Sequence, residues 1–130
     1  MSVQEPLGTL LIVEDEPMIS RILEHKLLRE GWRVLVSVDT AAAEEALRAQ
    51  PVRLALVDAT LDRDGLEWAG GLADAGLAPL CGWVALVEAR DPAAPARALV
   101  HGAAGVVVKP FKPTAVAAEI RRIAGAEVEP

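Results

Sequence analysis

The sequence predicts an α/β fold in which a five-stranded parallel sheet is covered by helices on both faces. Three observations carry that prediction. Five short runs rich in Val, Leu and Ile alternate with five stretches of helical periodicity. Each run is apolar along most of its length, broken only by Arg33, Ser37 and Arg53 inside the runs, rather than at every second residue, as a strand buried on both faces should be. The 130 residues suit one domain, and no linker, repeat or low-complexity segment interrupts them. The expectation is one domain over residues 1–130, with its core at about 9–124 and no output domain.

Thr9–Val13 (TLLIV) reads as the first strand. Pro17 opens the helix after it, because a proline in the first helical turn sacrifices no hydrogen bond. Ile19, Ile22, Leu23 and Leu27 then recur at helical spacing until Gly31 stops them. Trp32–Val38 (WRVLVSV) is the second strand, and Asp39-Thr40 caps a helix over Ala41–Ala49 whose Ala43, Ala46 and Leu47 face inward. Pro51 closes that helix. Val52–Val57 (VRLALV) is the third strand, ending at Asp58, and Ala59–Asp64 is a polar loop. A helix from about Gly65 to Ala75 follows, weakened by Gly70-Gly71 at roughly 1 kcal/mol per glycine. Trp83–Val87 is the fourth strand. Asp91-Pro92 reads as cap and first-turn proline of a helix running to His101, with Gly102 as its stop. Gly105–Val108 (GVVV) is the fifth strand, Lys109-Pro110 ends it, and Pro113 opens a last helix with Val116, Ile120 and Ile123 as its inward stripe.

Composition removes several function classes. Although 52% of the residues are apolar, 24 are Ala and only Trp32, Trp68, Trp83 and Phe111 are aromatic, so stacking on bases or flavins is poorly supplied. The formal charge of −6 repels phosphate backbones and points away from nucleic acid. Cys81 has no partner for an internal disulfide, and Met1–Gly8 lacks a signal-peptide pattern, which fits a reducing cytoplasm. No apolar run approaches the ~18–20 residues that span a bilayer. His25 and His101 read as ordinary surface or boundary residues, and Cys81 as a small apolar one. Trp32 and Trp83 are expected at sheet edges; Trp68 is left open between packed and exposed.

In an open parallel α/β sheet, ligands bind at the carboxyl ends of the strands. Strand one ends in Glu14-Asp15-Glu16, strand three in Asp58, strand four in Val87-Glu88 and strand five in Lys109. The order 2-1-3-4-5 brings these ends to one edge. Two carboxylates ~4 Å apart repel by about 4 kcal/mol at an effective dielectric near 20, so such a cluster needs a positive charge among its members. An all-oxygen donor set without His or Cys favours Mg²⁺ and disfavours zinc. A carboxylate held beside Mg²⁺ can attack a phosphoryl group, and a lysine opposite can bind an oxygen of that group, which gives Asp58 and Lys109 roles. Taken singly, each acid also fits a solvated loop or a helix N-cap, and Lys109 an ordinary surface cation; their convergence carries the chemistry.

From Thr9 to Ala124 the sequence resembles a receiver domain of a two-component response regulator, with the CheY-like, flavodoxin-like doubly wound fold. The resemblance rests on LIVEDEP (Leu11–Pro17), Asp58 closing a strand in LALVDATL, the turn Gly102-Ala103, and VVVKPF (Val106–Phe111). It implies that Glu14 and Asp15 organise Mg²⁺, Asp15 directly and Glu14 mostly through water. It implies further that Asp58 is the phosphoacceptor, that the Thr60 carbonyl is a metal ligand, and that Lys109 binds the phosphoryl group. The Lys109-Pro110 peptide is implied to be cis. A histidine kinase or histidine phosphotransfer protein is the implied donor, and a separate protein the reader of the signal.

Three departures from the family pattern stand out. The switch hydroxyl is missing, since the position holds Val87 or, in the neighbouring alignment, Glu88. The switch aromatic is replaced by Val106. The loop after Asp58 has Asp62 in place of the family's proline and reaches Gly65 one residue early, leaving Asp62 and Asp64 either to tune a metal or to face water. The main expectation is a phosphorylatable response regulator that is no enzyme in the turnover sense. The alternatives are a binding module of the same fold that works without phosphorylation, and, less favoured, a metal-dependent phosphoryl-transfer enzyme. An FMN site of flavodoxin type is rejected, because three acids stand where a phosphate-cradling loop is needed.

Overall fold

The computed structural model describes residues 7–125. Strand and helix alternate throughout: β1 Thr9–Val13, α1 Pro17–Arg29, β2 Arg33–Ser37, α2 Thr40–Ala49, β3 Leu54–Asp58, α3 Gly65–Gly70, β4 Trp83–Glu88, α4 Ala94–Val100, β5 Gly105–Lys109 and α5 Pro113–Ala124. The sheet is parallel in the order β2-β1-β3-β4-β5, as the sequence predicts.

Successive side chains of a strand point to opposite faces, so the apolar inner strands feed two cores at once. Leu10, Ile12, Leu54, Leu56, Val84 and Leu86 pack under α1 and α5 with Leu23, Leu27, Val116 and Ile120. Leu11, Val13, Ala55, Val57, Ala85 and Val87 pack under α2, α3 and α4 with Ala43, Leu66, Ala94 and Ala98. Seven of the nine buried alanines lie in this second layer, among them Ala43, Ala94 and Ala98 on its helices.

Several element boundaries differ from expectation, each for a local reason. Trp32 is not in β2: its N–H bonds Leu27 O at 3.1 Å and so belongs to the turn that ends α1. Val38 lies beyond the pairing of β1 with β2. β3 starts at Leu54, after Val52 and Arg53, and the Arg53 guanidinium ties Leu7 O to Ala124 O at 2.6 Å each. β4 and β5 each run one residue further than predicted, to Glu88 and Lys109. α3 ends at Gly70 rather than Ala75, stopped by the glycine pair, and turns occupy 71–76. α4 begins at Ala94 behind Ala93, with Pro95 rather than Pro92 in its first turn, and Asp91 offers it a backbone carbonyl but no side-chain cap. In α5, Ala117 and Ala124 are buried and Ile123 only half-buried.

The tryptophans also correct the sequence reading. Trp32 and Trp83 lie in the two cores, not at sheet edges. Trp68 is buried, and its indole N–H donates to Glu44 Oε2 at 2.8 Å, which satisfies the one polar atom it takes from water. Cys81 is half-buried and His25 exposed. Among the described residues, no helix is long and apolar enough to cross a membrane.

Candidate functional site

The carboxyl edge of the sheet places three buried ionisable groups within reach of one another. Glu14 follows β1 directly, and its N–H extends the ladder to Ser37 O at 3.0 Å, which fixes the side chain's direction. Asp58 is the last residue of β3 and Lys109 the last of β5. All three are at least 93% buried, at 1%, 4% and 7% exposure. The Lys109 ammonium donates to Asp58 Oδ2 and to Glu14 Oε1, the latter at 3.1 Å. Glu16 Oε1 at 3.7 Å and Glu88 Oε2 at 3.9 Å complete its surroundings. Asp58 Oδ1 accepts from Thr60 N–H at 2.7 Å, and Glu14 Oε2 from Glu16 N–H at 3.2 Å.

One ammonium therefore faces four carboxylates. Burial pushes the Glu14 carboxyl up from its ordinary 4.5 to about 8, the Asp58 carboxylate beside it adds to this, and Lys109 only partly reverses it. Burial alone would lower the Lys109 pKa, but Asp58 and Glu14 hold it above its ordinary value. Oxygens of Glu14, Glu16 and Asp58 lie within 4.8 Å of one another, a spacing that one hard cation can bridge. An open cleft above them is lined by Asp15, Glu16, Ile19, Thr60, Glu88, Arg90 and Pro110.

The loop carrying Asp58 is braced from below and from both sides. Gly65 N–H bonds Ala59 O at 2.8 Å, and a Cβ at Gly65 would sit 2.0 Å from the Asp58 carbonyl oxygen, so only glycine closes this turn. Asp62 accepts from Thr40 N–H at 2.9 Å and Thr40 Oγ1 at 2.7 Å, bonds that hold its carboxyl below the ordinary range. Asp64 caps α3 through Leu66 N–H at 3.0 Å and Glu67 N–H at 3.1 Å, and it pairs with Arg97 of α4 at 2.6 Å. Burial acts to raise the Asp64 carboxyl, yet these donors and Arg97 together lower it. The two extra acids of the loop are thus committed to helix starts and line no part of the cleft.

Of the residues singled out in the sequence, Glu14, Asp58 and Lys109 touch directly, while Asp15 and Thr60 line the cleft. Asp15 is exposed and stands outside the tight oxygen cluster, whose third member is Glu16. Strand parity sends Val87 and Glu88 to opposite faces of the sheet. Val87 points into the core beneath α4, and Glu88 faces the cleft. Val106 lies half-buried on the α4 side of β5, against the same core. The Lys109-Pro110 peptide is cis. The sequence places Glu16 and Glu88 among the strand-end acids without a ligand role of their own and does not single out Arg90; the available signal is that Glu16 lies three residues past β1, Glu88 closes β4 and Arg90 lies two residues past it.

A doubly wound parallel domain with an acidic cleft and a buried lysine at its carboxyl edge defines a class, and comparison names the family within it. The chain belongs to the response regulator receiver domain family, whose description matches residues 10–121. It is 32% identical over 102 residues to the transcriptional regulatory protein KdpE of Mycobacterium tuberculosis, a stretch covering 78% of this chain and 44% of that protein. The chain thus spans less than half the length of the curated relatives it matches. A putative response regulator from Chloroflexus aurantiacus superposes with a TM-score of 0.81 at 22% identity, over 93% of this chain and 99% of that one. A response regulator from Thermotoga maritima gives 0.81 at 18% identity, over 94% and 99%. These structural likenesses establish the shared fold.

Proposed function

We propose that this receiver domain accepts a phosphoryl group on Asp58 from a phosphohistidine of a histidine kinase or histidine phosphotransfer protein, with Mg²⁺, and signals through protein–protein contacts. The observation that supports this best is the setting of Asp58: a buried carboxylate at a strand end, held by Lys109 and by Thr60 N–H beneath an open acidic cleft. In the transfer, a carboxylate oxygen of Asp58 bonds to phosphorus as the phosphorus–nitrogen bond of the donor breaks. The electron pair of that bond stays with the imidazole, and this chain carries an acyl phosphate. Lys109, already aimed at Asp58 Oδ2, follows the new charge and binds a phosphoryl oxygen.

The donor set fits a hard divalent cation: every group lining the cleft that can ligate offers oxygen, and the Lys109 ammonium alone faces the carboxylates of Glu14, Glu16, Asp58 and Glu88. Glu14, Asp15, Asp58 and the Thr60 carbonyl would hold it, with Glu16 as a further carboxylate in range. When bound, Mg²⁺ supplies positive charge that offsets the carboxylates and the incoming phosphoryl group. The domain then assists only its own phosphorylation and dephosphorylation, with no separate substrate to turn over. A formal charge of −6 argues against direct nucleic-acid contact, and a cytoplasmic location suits a partner of this kind.

Incubation with acetyl phosphate and Mg²⁺ tests the proposal: intact-mass spectrometry should find one added phosphoryl group on the wild type and none on Asp58→Asn. A second reading draws on Val87 and Val106. With no hydroxyl or ring at the positions that usually relay the signal, the domain would bind its partner without phosphorylation. Partner binding and cellular output left intact by Asp58→Asn would favour it.

A further inference from the structure

A phosphoryl group on Asp58 would carry close to two negative charges where the carboxylate carried one, in a cleft already lined by Asp15, Glu16 and Glu88. It presents three acceptor oxygens, and the donors available to them are few. Lys109 is one. The place of the missing hydroxyl supplies none, since Val87 is turned into the core and Glu88 offers acceptors only. One further cationic side chain lines the same cleft: Arg90, two residues past the end of β4.

Arg90 is exposed, and the acids beside it in sequence are engaged elsewhere. Glu88 faces Lys109 at 3.9 Å, and Asp91 faces Arg97 at 3.9 Å. Among the described residues Arg90 has no ion-pair partner of its own, unlike Arg97 in α4, which has two. A guanidinium at the wall of an otherwise acidic cleft has a planar fork of donors matched to phosphate oxygens. It can engage two of them at once, which a serine or threonine hydroxyl cannot.

We propose that Arg90 is a phosphoryl-binding residue of this domain, taking the place left empty by the absent hydroxyl and fixing the β4–α4 connection over the modified Asp58. The inference rests on Asp58 being the phosphoacceptor. It also gives the domain a way to register the phosphoryl group without the usual hydroxyl and ring: the loop that carries Arg90 leads directly into α4.

Beryllofluoride with Mg²⁺, a mimic of the phosphoryl group, is the probe, and fluorine NMR reads its binding to the full chain. Arg90→Ala should bind it about tenfold more weakly than the wild type, the loss of one good charge-assisted contact. Arg90→Lys should fall between the two, keeping the charge and losing the fork. Mg²⁺ affinity without beryllofluoride should not weaken in either variant, and melting temperature should hold because the side chain is exposed. Equal beryllofluoride affinity in wild type and Arg90→Ala overturns the role of Arg90 alone. An equal loss of Mg²⁺ affinity in Arg90→Ala overturns it too, by making the residue a part of the cleft's structure. A wild type that binds no beryllofluoride overturns the phosphoacceptor assignment, and Arg90 falls with it.

Discussion

Two cation–carboxylate groups stand at the same edge of the sheet, and they differ in burial. Lys109 with Asp58 and Glu14 is nearly sealed from water, whereas Arg97 with Asp64 leaves about two-fifths of each side chain exposed. The charges are alike, but the costs of disturbing them are not. A buried charge that loses its partner keeps its desolvation cost, while an exposed one is taken up by water. The inner group is therefore a place where charge can be changed with large effect, and the outer one a brace whose removal is mild.

The largest break in that contrast should come from Lys109→Ala, which leaves buried carboxylates without their ammonium. Urea denaturation at pH 8 without divalent cations should show a loss of about 3 kcal/mol, and Mg²⁺ should restore part of it. A loss as small as that of an exposed pair would remove the distinction.

Next comes the pH dependence of the wild type without cations. The folded-state pKa of Glu14, about 8, lies above its ordinary 4.5, so the folded protein binds a proton there that the unfolded chain has released. That contribution is fully present below about pH 4.5 and is lost as pH rises towards 8, so melting temperature should decline across this window. Glu14→Gln should flatten the decline. Divalent-cation affinity should rise over the same window, as the proton leaves.

Smaller effects belong to the outer brace. Asp62→Ala strips two hydrogen bonds from the start of α2 and should cost about 1 kcal/mol by chemical denaturation. Arg97→Ala should cost least, under about 1 kcal/mol, and the cost should shrink further in high salt because the pair is exposed. An Arg97 variant as damaging as Lys109→Ala would mean that the brace, not the buried cluster, holds this edge together.

What could be read from the sequence follows the same division. β1, β3, β4 and β5 are legible because their apolar runs are unbroken, β2 despite Arg33 and Ser37, and Glu14, Asp58 and Lys109 because each closes an unbroken run. Features decided by contacts far along the chain are not. The burial of Trp68 depends on Glu44, 24 residues earlier, and the role of Asp62 on Thr40, 22 residues earlier. The start of α4 is not legible because Pro92 and Pro95 both suit a first turn, and the outcome hangs on Asp91 contributing its backbone instead of its carboxylate. Which of Val87 and Glu88 reaches the cleft is a matter of strand parity, invisible to an alignment uncertain by one residue. Arg90 is illegible in the sequence because its significance lies in which neighbouring acids turn away from it.

Amide NMR of the full chain, taken first with Mg²⁺ and then with Mg²⁺ and beryllofluoride, tests the central claim that Asp58 and its buried partners form a phosphoryl-accepting site. Shifts should begin at Glu14, Asp58, Thr60 and Lys109 with Mg²⁺ and extend to Glu88 and Arg90 with beryllofluoride, and the second step should vanish in Asp58→Asn. Spectra unchanged at those residues, or a second step that persists in Asp58→Asn, would contradict it.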